Sequence, residues 1–237
     1  MTRSPIWKAI AESLAADIAG GPYPAGSKLP TEADLSARFG VNRHTVRHAL
    51  AALAAQGLVV PRRGAGVFVT APATEYRIGK RVRFNQNIAA TGQVPSRQIS
   101  RLETCPATRT EAEALRIPAG SPVHVVEGLS LADGQPLALF RSVLPAARFP
   151  SLLQDLALIP SITAAMASGG LADYTRASTR LTARSADPVQ ALHLRLTEGA
   201  PVLQAVAVNV DIAGVPVEYG TTWFAGGRVT LTIHADD

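Results

Sequence analysis

Apolar positions along this chain follow a helical period first and an alternating one later, and the change marks its elements. Ile6, Ile10, Leu14 and Ile18 recur every fourth residue, which predicts an amphipathic helix that Gly20-Gly21-Pro22 ends. A second helix is expected between Thr31, placed to cap it with Asp34 as reciprocal partner, and Gly40. A third opens at the N-cap Asn42 and runs through Gln56 to Gly57. At about 100° per residue, Val46, Ala49, Leu50 and Leu53 share one arc of that helix, and Arg43, His44, Arg47 and His48 share the opposite one. Two β-prone runs follow, Leu58-Val59-Val60 and Val67-Phe68-Val69, joined by Pro61-Arg62-Arg63-Gly64-Ala65-Gly66. Helix, turn, helix and basic-tipped hairpin in this order predict a winged helix-turn-helix, whose second helix enters a DNA major groove.

Residues 71–77 have no clear period and contain Pro72, so they are expected to link a domain at 1–70 to a second at 78–237. The second domain contains an internal echo. Ala114 to Val123 predicts a short helix and a turn before a β-rich run, then the turn Ala132-Asp133-Gly134-Gln135-Pro136 and another run through Leu144. Ala191 to Val202 begins the same plan again, with the turn Ala213-Gly214-Val215-Pro216 and a strand through Phe224. Two such units imply duplicated halves of an antiparallel sheet with helices against it, an α+β fold.

Charge sharpens this division. Residues 1–83 hold 12 Lys or Arg against 5 Asp or Glu, whereas 84–237 hold 11 against 13, so the net charges are +7 and −2. The positive excess coincides with the helix-turn-helix and favours a polyanionic partner. Apolar stretches fall short of the roughly 18–20 residues that a membrane span needs, and the N-terminus enters a helical pattern without a signal-like core, so a cytoplasmic protein is expected. Cys105 is the single cysteine and reads as a structural thiol. His44 and His48 are four residues apart, but no acid or cysteine at useful spacing completes a metal set. No nucleophile with a nearby His and acid, no paired carboxylates and no phosphate-loop lysine stand out, so no catalytic residue, metal or cofactor is expected.

The chain resembles the GntR family of bacterial repressors in Leu29-Pro30-Thr31-Glu32, Leu35, Phe39-Gly40-Val41, Arg43, Thr45-Val46-Arg47, Leu50, Leu53, Gly57 and the wing Arg63-Gly64-Ala65-Gly66. Its C-terminal half resembles the UTRA ligand-binding domain of the HutC branch, whose fold is shared with chorismate lyase. Tyr76 to Asn87 and Val217 to Arg228 are similar to the phosphonate-metabolism regulators of that branch. Where sugar-phosphate-sensing relatives carry two arginines and an acid, this chain has Gly128, Ser130 and Phe140. The resemblance therefore implies a dimeric regulator of a catabolic or uptake operon that answers to a small anion, such as a phosphonate, rather than to a sugar phosphate.

On the DNA side, Arg43 and Arg47 are expected to read base edges, and His44 and Thr45 a base edge or a phosphate. Amides near Asn42 would meet phosphate, and Arg62, Arg63, Gly64 and Gly66 would set the wing on the duplex, with Lys28 and Thr31 as further contacts. On the ligand side, Arg77, Lys80, Arg81, Arg83, Asn85 and Asn87 form a donor-rich set, of which the resemblance singles out Arg83 and Asn85. Ser161 and Thr163 mark a helix start suited to an oxyanion, or simply a cap. Arg141, Tyr174, Arg176, Glu218 and Tyr219 stand near relatives' ligand contacts by the same resemblance. Three readings stay open: a ligand-responsive repressor acting as a homodimer on palindromic operator DNA, an enzyme using the lyase-like fold, and a ligand-independent architectural DNA-binding protein.

Overall fold

The computed structural model describes residues 5–62, 64–70 and 73–233, and the chain divides into two compact units at 1–72 and 73–237. In the first unit, α1 (Ile6–Ala19), α2 (Glu32–Phe39) and α3 (Arg43–Ala55) precede a hairpin of β1 (Val59–Arg62) and β2 (Gly66–Val69). Local chemistry sets the helix ends. The Thr31 hydroxyl accepts from the Asp34 amide at 3.2 Å while the Asp34 carboxylate accepts from the Thr31 amide at 3.0 Å. Gly40 closes α2 at a φ of 63°, a left-handed conformation that disfavours side chains. The inward stripe of α3, Val46, Ala49, Leu50 and Leu53, packs with Ile10, Leu14 and Leu35 into one core, to which Val59 and Val69 of the hairpin contribute.

The second unit is built on a six-stranded antiparallel sheet. Its strands are β4 (Pro95–Pro106), β5 (Pro122–Ala132), β6 (Gln135–Pro145), β7 (Thr175–Ser185), β8 (Pro201–Val210) and β9 (Pro216–Ala225), in the spatial order β4-β5-β6-β9-β8-β7. The repeat in the sequence becomes two three-stranded halves that meet where β6 pairs with β9. A short helix precedes the hairpin of each half: α5 (Arg109–Leu115) and α8 (Pro188–Leu194). Both open on a capping box, Thr108 with Glu111 and Asp187 with Gln190, and both close on an arginine in the left-handed region, Arg116 and Arg195. Each helix also packs across the seam, α5 against β9 and α8 against β6, so that neither half can bury its apolar face alone.

The linker expected at 71–77 is corrected here. Thr74–Arg77 forms a strand, β3, paired in parallel with β10 (Val229–Thr232). Thr74 and Tyr76 point inward and Glu75 and Arg77 outward, an alternation too short to register as a period in the sequence. Tyr76 packs its ring against Phe84, the first residue of α4 (Phe84–Ala90), and against Phe224. The remaining helices, α6 (Leu152–Leu158) and α7 (Ile162–Ser168), form a core with Phe149, Leu144 and Phe140. Among the described residues no helix is long and apolar enough to cross a membrane.

Candidate nucleic-acid interface and ligand pocket

Helix α3 displays its polar arc to solvent, with Arg43, His44 and Arg47 exposed. Arg47 is not free. Its guanidinium donates from Nε to Glu32 Oε1 at 3.1 Å and from Nη2 to Oε2 at 2.8 Å, a fork-to-fork pair from the first residue of α2. The hydrogen bond from Arg47 holds the Glu32 carboxyl below its ordinary range. Thr31, Asn42 and Thr45 use their side chains locally: Asn42 Oδ1 accepts from the Thr45 amide at 2.9 Å and from its hydroxyl at 3.0 Å, and the Thr31 hydroxyl donates to Asp34 at 2.6 Å. His48 is exposed on the same arc and stacks on Trp7 of α1 with ring centroids 4.4 Å apart. The polar arc thus extends to a contact with α1 at its C-terminal edge.

At the wing, Gly64 and Gly66 have φ of 73° and 111°. A side chain at Gly66 would also collide with Lys28, whose Cε lies 2.7 Å from the position of a Cβ, so this glycine lets Lys28 lie against the hairpin. The Arg62 backbone pairs with Gly66, but its side chain and the whole of Arg63 lie outside the described residues.

In the second unit, one face of the sheet forms the floor of a cavity of about 360 Å³. Strand alternation decides which side chains enter it. Phe140 and Ser142 on β6, and Glu218 and Gly220 on β9, face the cavity. Their neighbours Arg141 and Tyr219, expected as ligand contacts, therefore face the other way. Arg141 pairs with Glu111 at 2.7 Å and Glu127 at 3.1 Å, and Tyr219 packs in the core beneath α5. Both assignments are corrected by the same period of two. Arg83, Asn85, Ser161, Thr163, Tyr174, Arg176 and Glu218 do converge on the cavity.

Several of these groups are already engaged. Arg83 lies 3.4 Å over the Tyr174 ring and donates to the Tyr174 carbonyl at 2.8 Å and to Asp173 at 3.2 Å. The Tyr174 hydroxyl meets Thr163 Oγ1 at 2.8 Å, and Ser161 Oγ caps α7 by accepting from the Ala164 amide at 3.3 Å. Arg176 donates to Asn209 Oδ1 at 3.2 Å, and Asn209 donates to Glu218 Oε2 at 2.7 Å. Of the donor-rich segment, only Arg83 and Asn85 reach this cavity. Arg77, Lys80, Arg81 and Asn87 line a separate shallow groove, where Asn87 bonds both backbone groups of Arg77 and Arg81 pairs with Asp173 at 2.7 Å.

Arg97 is the cavity residue that sequence reasoning missed. It projects from β4 between the rings of Phe84 and Phe140, 5.3 and 4.6 Å from their centroids. Its buried Nε has no hydrogen-bond partner, and no ion pair is formed by its guanidinium among the described residues. Enclosure pushes its pKa down, yet an arginine so far above neutrality keeps its charge. Nothing in the sequence separated Arg97 from Arg101 on the same strand. A bulge between Ile99 and Arg101 shifts the alternation, so Arg97, Ile99 and Leu102 point inward while Arg101 pairs on the outer face with Glu103 and Glu127. Gly128 sits at this bulge, where an added Cβ would lie 2.2 Å from the Gln98 carbonyl oxygen and 3.0 Å from the Phe140 ring. No side chain fits there.

His124, under the same sheet, is fully satisfied. Its Nε2 faces the Phe149 carbonyl at 3.0 Å, which can only accept, so Nε2 carries the proton and Nδ1 accepts from the Thr104 hydroxyl at 2.8 Å. Burial lowers its pKa. Among the described residues no group of His, Cys, Asp and Glu is arranged to hold a metal.

Comparison with known proteins assigns each unit. Residues 7–69 match the model of bacterial regulatory proteins of the gntR family, and residues 90–230 match the UTRA domain. An HTH-type transcriptional regulator of Rhizobium meliloti, itself uncharacterized, is 39% identical over 229 residues, covering 96% of this chain and 94% of the relative. The probable transcriptional regulator PhnF of Escherichia coli K12 is 30% identical over 221 residues, covering 89% and 88%. The crystal structure of PhnF from Mycobacterium smegmatis superposes with a TM-score of 0.65 at 26% identity, covering 95% of this chain and 99% of that one.

Proposed function

The chain belongs to the GntR family of bacterial regulatory proteins and carries a UTRA domain, and on that premise we propose that it is a repressor released or retuned by a small anionic effector. It is a transcriptional regulator and not an enzyme, as its relatives are. The finer reading rests above all on Arg97, a cation that forms no ion pair among the described residues and whose buried Nε has no hydrogen-bond partner, in a cavity of small-molecule size. An unpaired buried charge is costly, and a bound anion would remove that cost. The similarity to PhnF and the resemblance of residues 76–87 and 217–228 support a phosphonate or phosphate-like effector.

On the DNA side, exposed Arg43 and Arg47 are the proposed base readers, the helix-end amides next to Asn42 are proposed to meet phosphate, and Thr31, whose hydroxyl and amide are both engaged with Asp34, acts by fixing the start of α2. Lys28, Gly64 and Gly66 shape the proposed wing contact, which Arg62 and Arg63 would complete. Homodimerisation through the sheet domain, which a palindromic operator demands, is supported by the edge strand β7 with exposed Leu181 and by exposed Val189 and Leu192 on α8. An effector acts on such a regulator only if it prefers one of two conformations. The Arg83–Tyr174–Asp173 cluster joins the opening segment of the domain to the cavity rim and supplies a contact that ligand binding can rearrange.

The test is fluorescence anisotropy of the full-length protein on DNA from its own promoter region, with and without simple alkylphosphonates and inorganic phosphate. Saturable, sequence-selective binding that shifts with one of these anions is the expected result. Absence of selective DNA binding at modest ionic strength in every condition would remove the proposal.

A further inference from the structure

The cavity contains an acid as well as a cation, and that acid is not used by the reading just given. Glu218 is 8% exposed and lies on the cavity floor. Its Oε2 accepts from Asn209, but Oε1 has no partner among the described residues and leans over Gly220, 3.8 Å from where a Cβ would stand. Gly220 leaves the space beside it open. Glu218 forms no ion pair among the described residues, although it is near enough for its charge to act on Arg97.

The cavity's charged groups differ in how far they are engaged. Arg83 shares Asp173 with Arg81, and Arg176 is hydrogen-bonded to the neutral Asn209, whereas Arg97 Nε and Glu218 Oε1 are left without partners among the described residues and carry opposite sign. A purely anionic ligand satisfies Arg97 but is pressed towards a buried carboxylate of like charge. A purely cationic ligand meets the reverse problem. Resting on the effector reading above, we infer that the ligand is a small zwitterion, with its acid group at Arg97 and a protonated amine donating to Glu218 Oε1. Phe84 and Phe140, which flank the Arg97 guanidinium, lower the local polarity at the acid end, where a charge-assisted contact is strengthened. Glu218 is thereby a specificity residue: it selects for the amine, whereas Arg97 selects for the acid.

Isothermal titration of the full-length protein with two matched pairs tests this, 2-aminoethylphosphonate against ethylphosphonate and 3-aminopropanoate against propanoate. N-acetylated 2-aminoethylphosphonate is a further arm that needs no variant. The amine should tighten binding about tenfold or more in at least one pair, a gain erased by acetylation and by Glu218→Gln, whose amide oxygen still accepts from Asn209. Equal binding within both pairs, or a gain that survives Glu218→Gln, overturns the zwitterion inference. If the plain acids bind and lose affinity in Arg97→Met while the amine adds nothing, only this inference falls. If neither pair binds at all, the effector reading falls with it.

Discussion

Arg47 and Arg97 are the same residue in opposite circumstances, and the two regions they occupy work by opposite physics. On α3, the guanidinium of Arg47 is about two-thirds exposed, hydrated, and held by Glu32. Its charge costs little because water and a carboxylate both stabilise it, so the side chain can exchange one anionic partner for another at a groove. In the sheet domain Arg97 has aromatic rings for neighbours and forms no ion pair among the described residues, although Glu218 lines the same chamber. On the proposed function, a bound anion would offset the cost of its desolvation. On the same reading, the exposed arginine would supply specificity without affecting the fold, whereas the enclosed one would couple stability to occupancy.

The largest expected effect tests the exposed side. Arg47→Ala should weaken binding to the preferred DNA sequence by about 1–3 kcal/mol for a lost bidentate contact. Binding to scrambled DNA should change far less, and competition anisotropy reads the two together. If both fall equally, Arg47 is a phosphate contact and not a base reader.

Arg97→Met tests the enclosed side and should have the opposite sign in stability. Replacing an unpaired enclosed cation with an apolar side chain of similar length should stabilise the ligand-free domain by roughly 1 kcal/mol, while abolishing the rise in Tm on adding anion. A large loss of stability in the empty protein would mean that Arg97 is structural.

Acid sensitivity separates the sheet domain again through His124. Burial depresses its folded-state pKa, so the neutral form contributes stability that is complete above the unfolded value, about 6.5, and is lost as pH falls through the folded pKa. Denaturant midpoints measured from pH 8 down to pH 4.5 should decline on the acid side, and His124→Gln should flatten that part of the decline. The smallest effect belongs to Glu32→Gln. Removing one partner of a surface pair should alter stability by no more than about 0.5 kcal/mol, yet change DNA selectivity if Glu32 orients Arg47.

The DNA-binding unit was legible because its signals are local. Capping boxes, helix-ending glycines and a period of 3.6 each involve residues within a turn or two of one another, and Thr31, Asp34, Gly40 and Asn42 behave as their spacing implies. What the local pattern did not show came from other helices: Trp7 of α1 stacks on His48, and Glu32 of α2 pairs with Arg47. The duplicated sheet was legible at the level of its hairpins, whose Asp133-Gly134 turn has both residues at positive φ.

The cavity was legible only in part. Residues flanking it, such as Arg83, Tyr174 and Glu218, sit in segments of recognisable sequence, but Arg141 and Tyr219 sit beside true cavity residues and differ from them only in strand parity. The sequence by itself determined the elements, their caps, the repeat and the segregation of charge, because those depend on neighbours along the chain. Tertiary structure alone decided which face of each strand looks into the cavity, that a bulge at Ser100 turns Arg97 inward and Arg101 outward, and that Arg97 and Glu218 share one chamber, because pairing register and burial are set between strands that are remote in sequence.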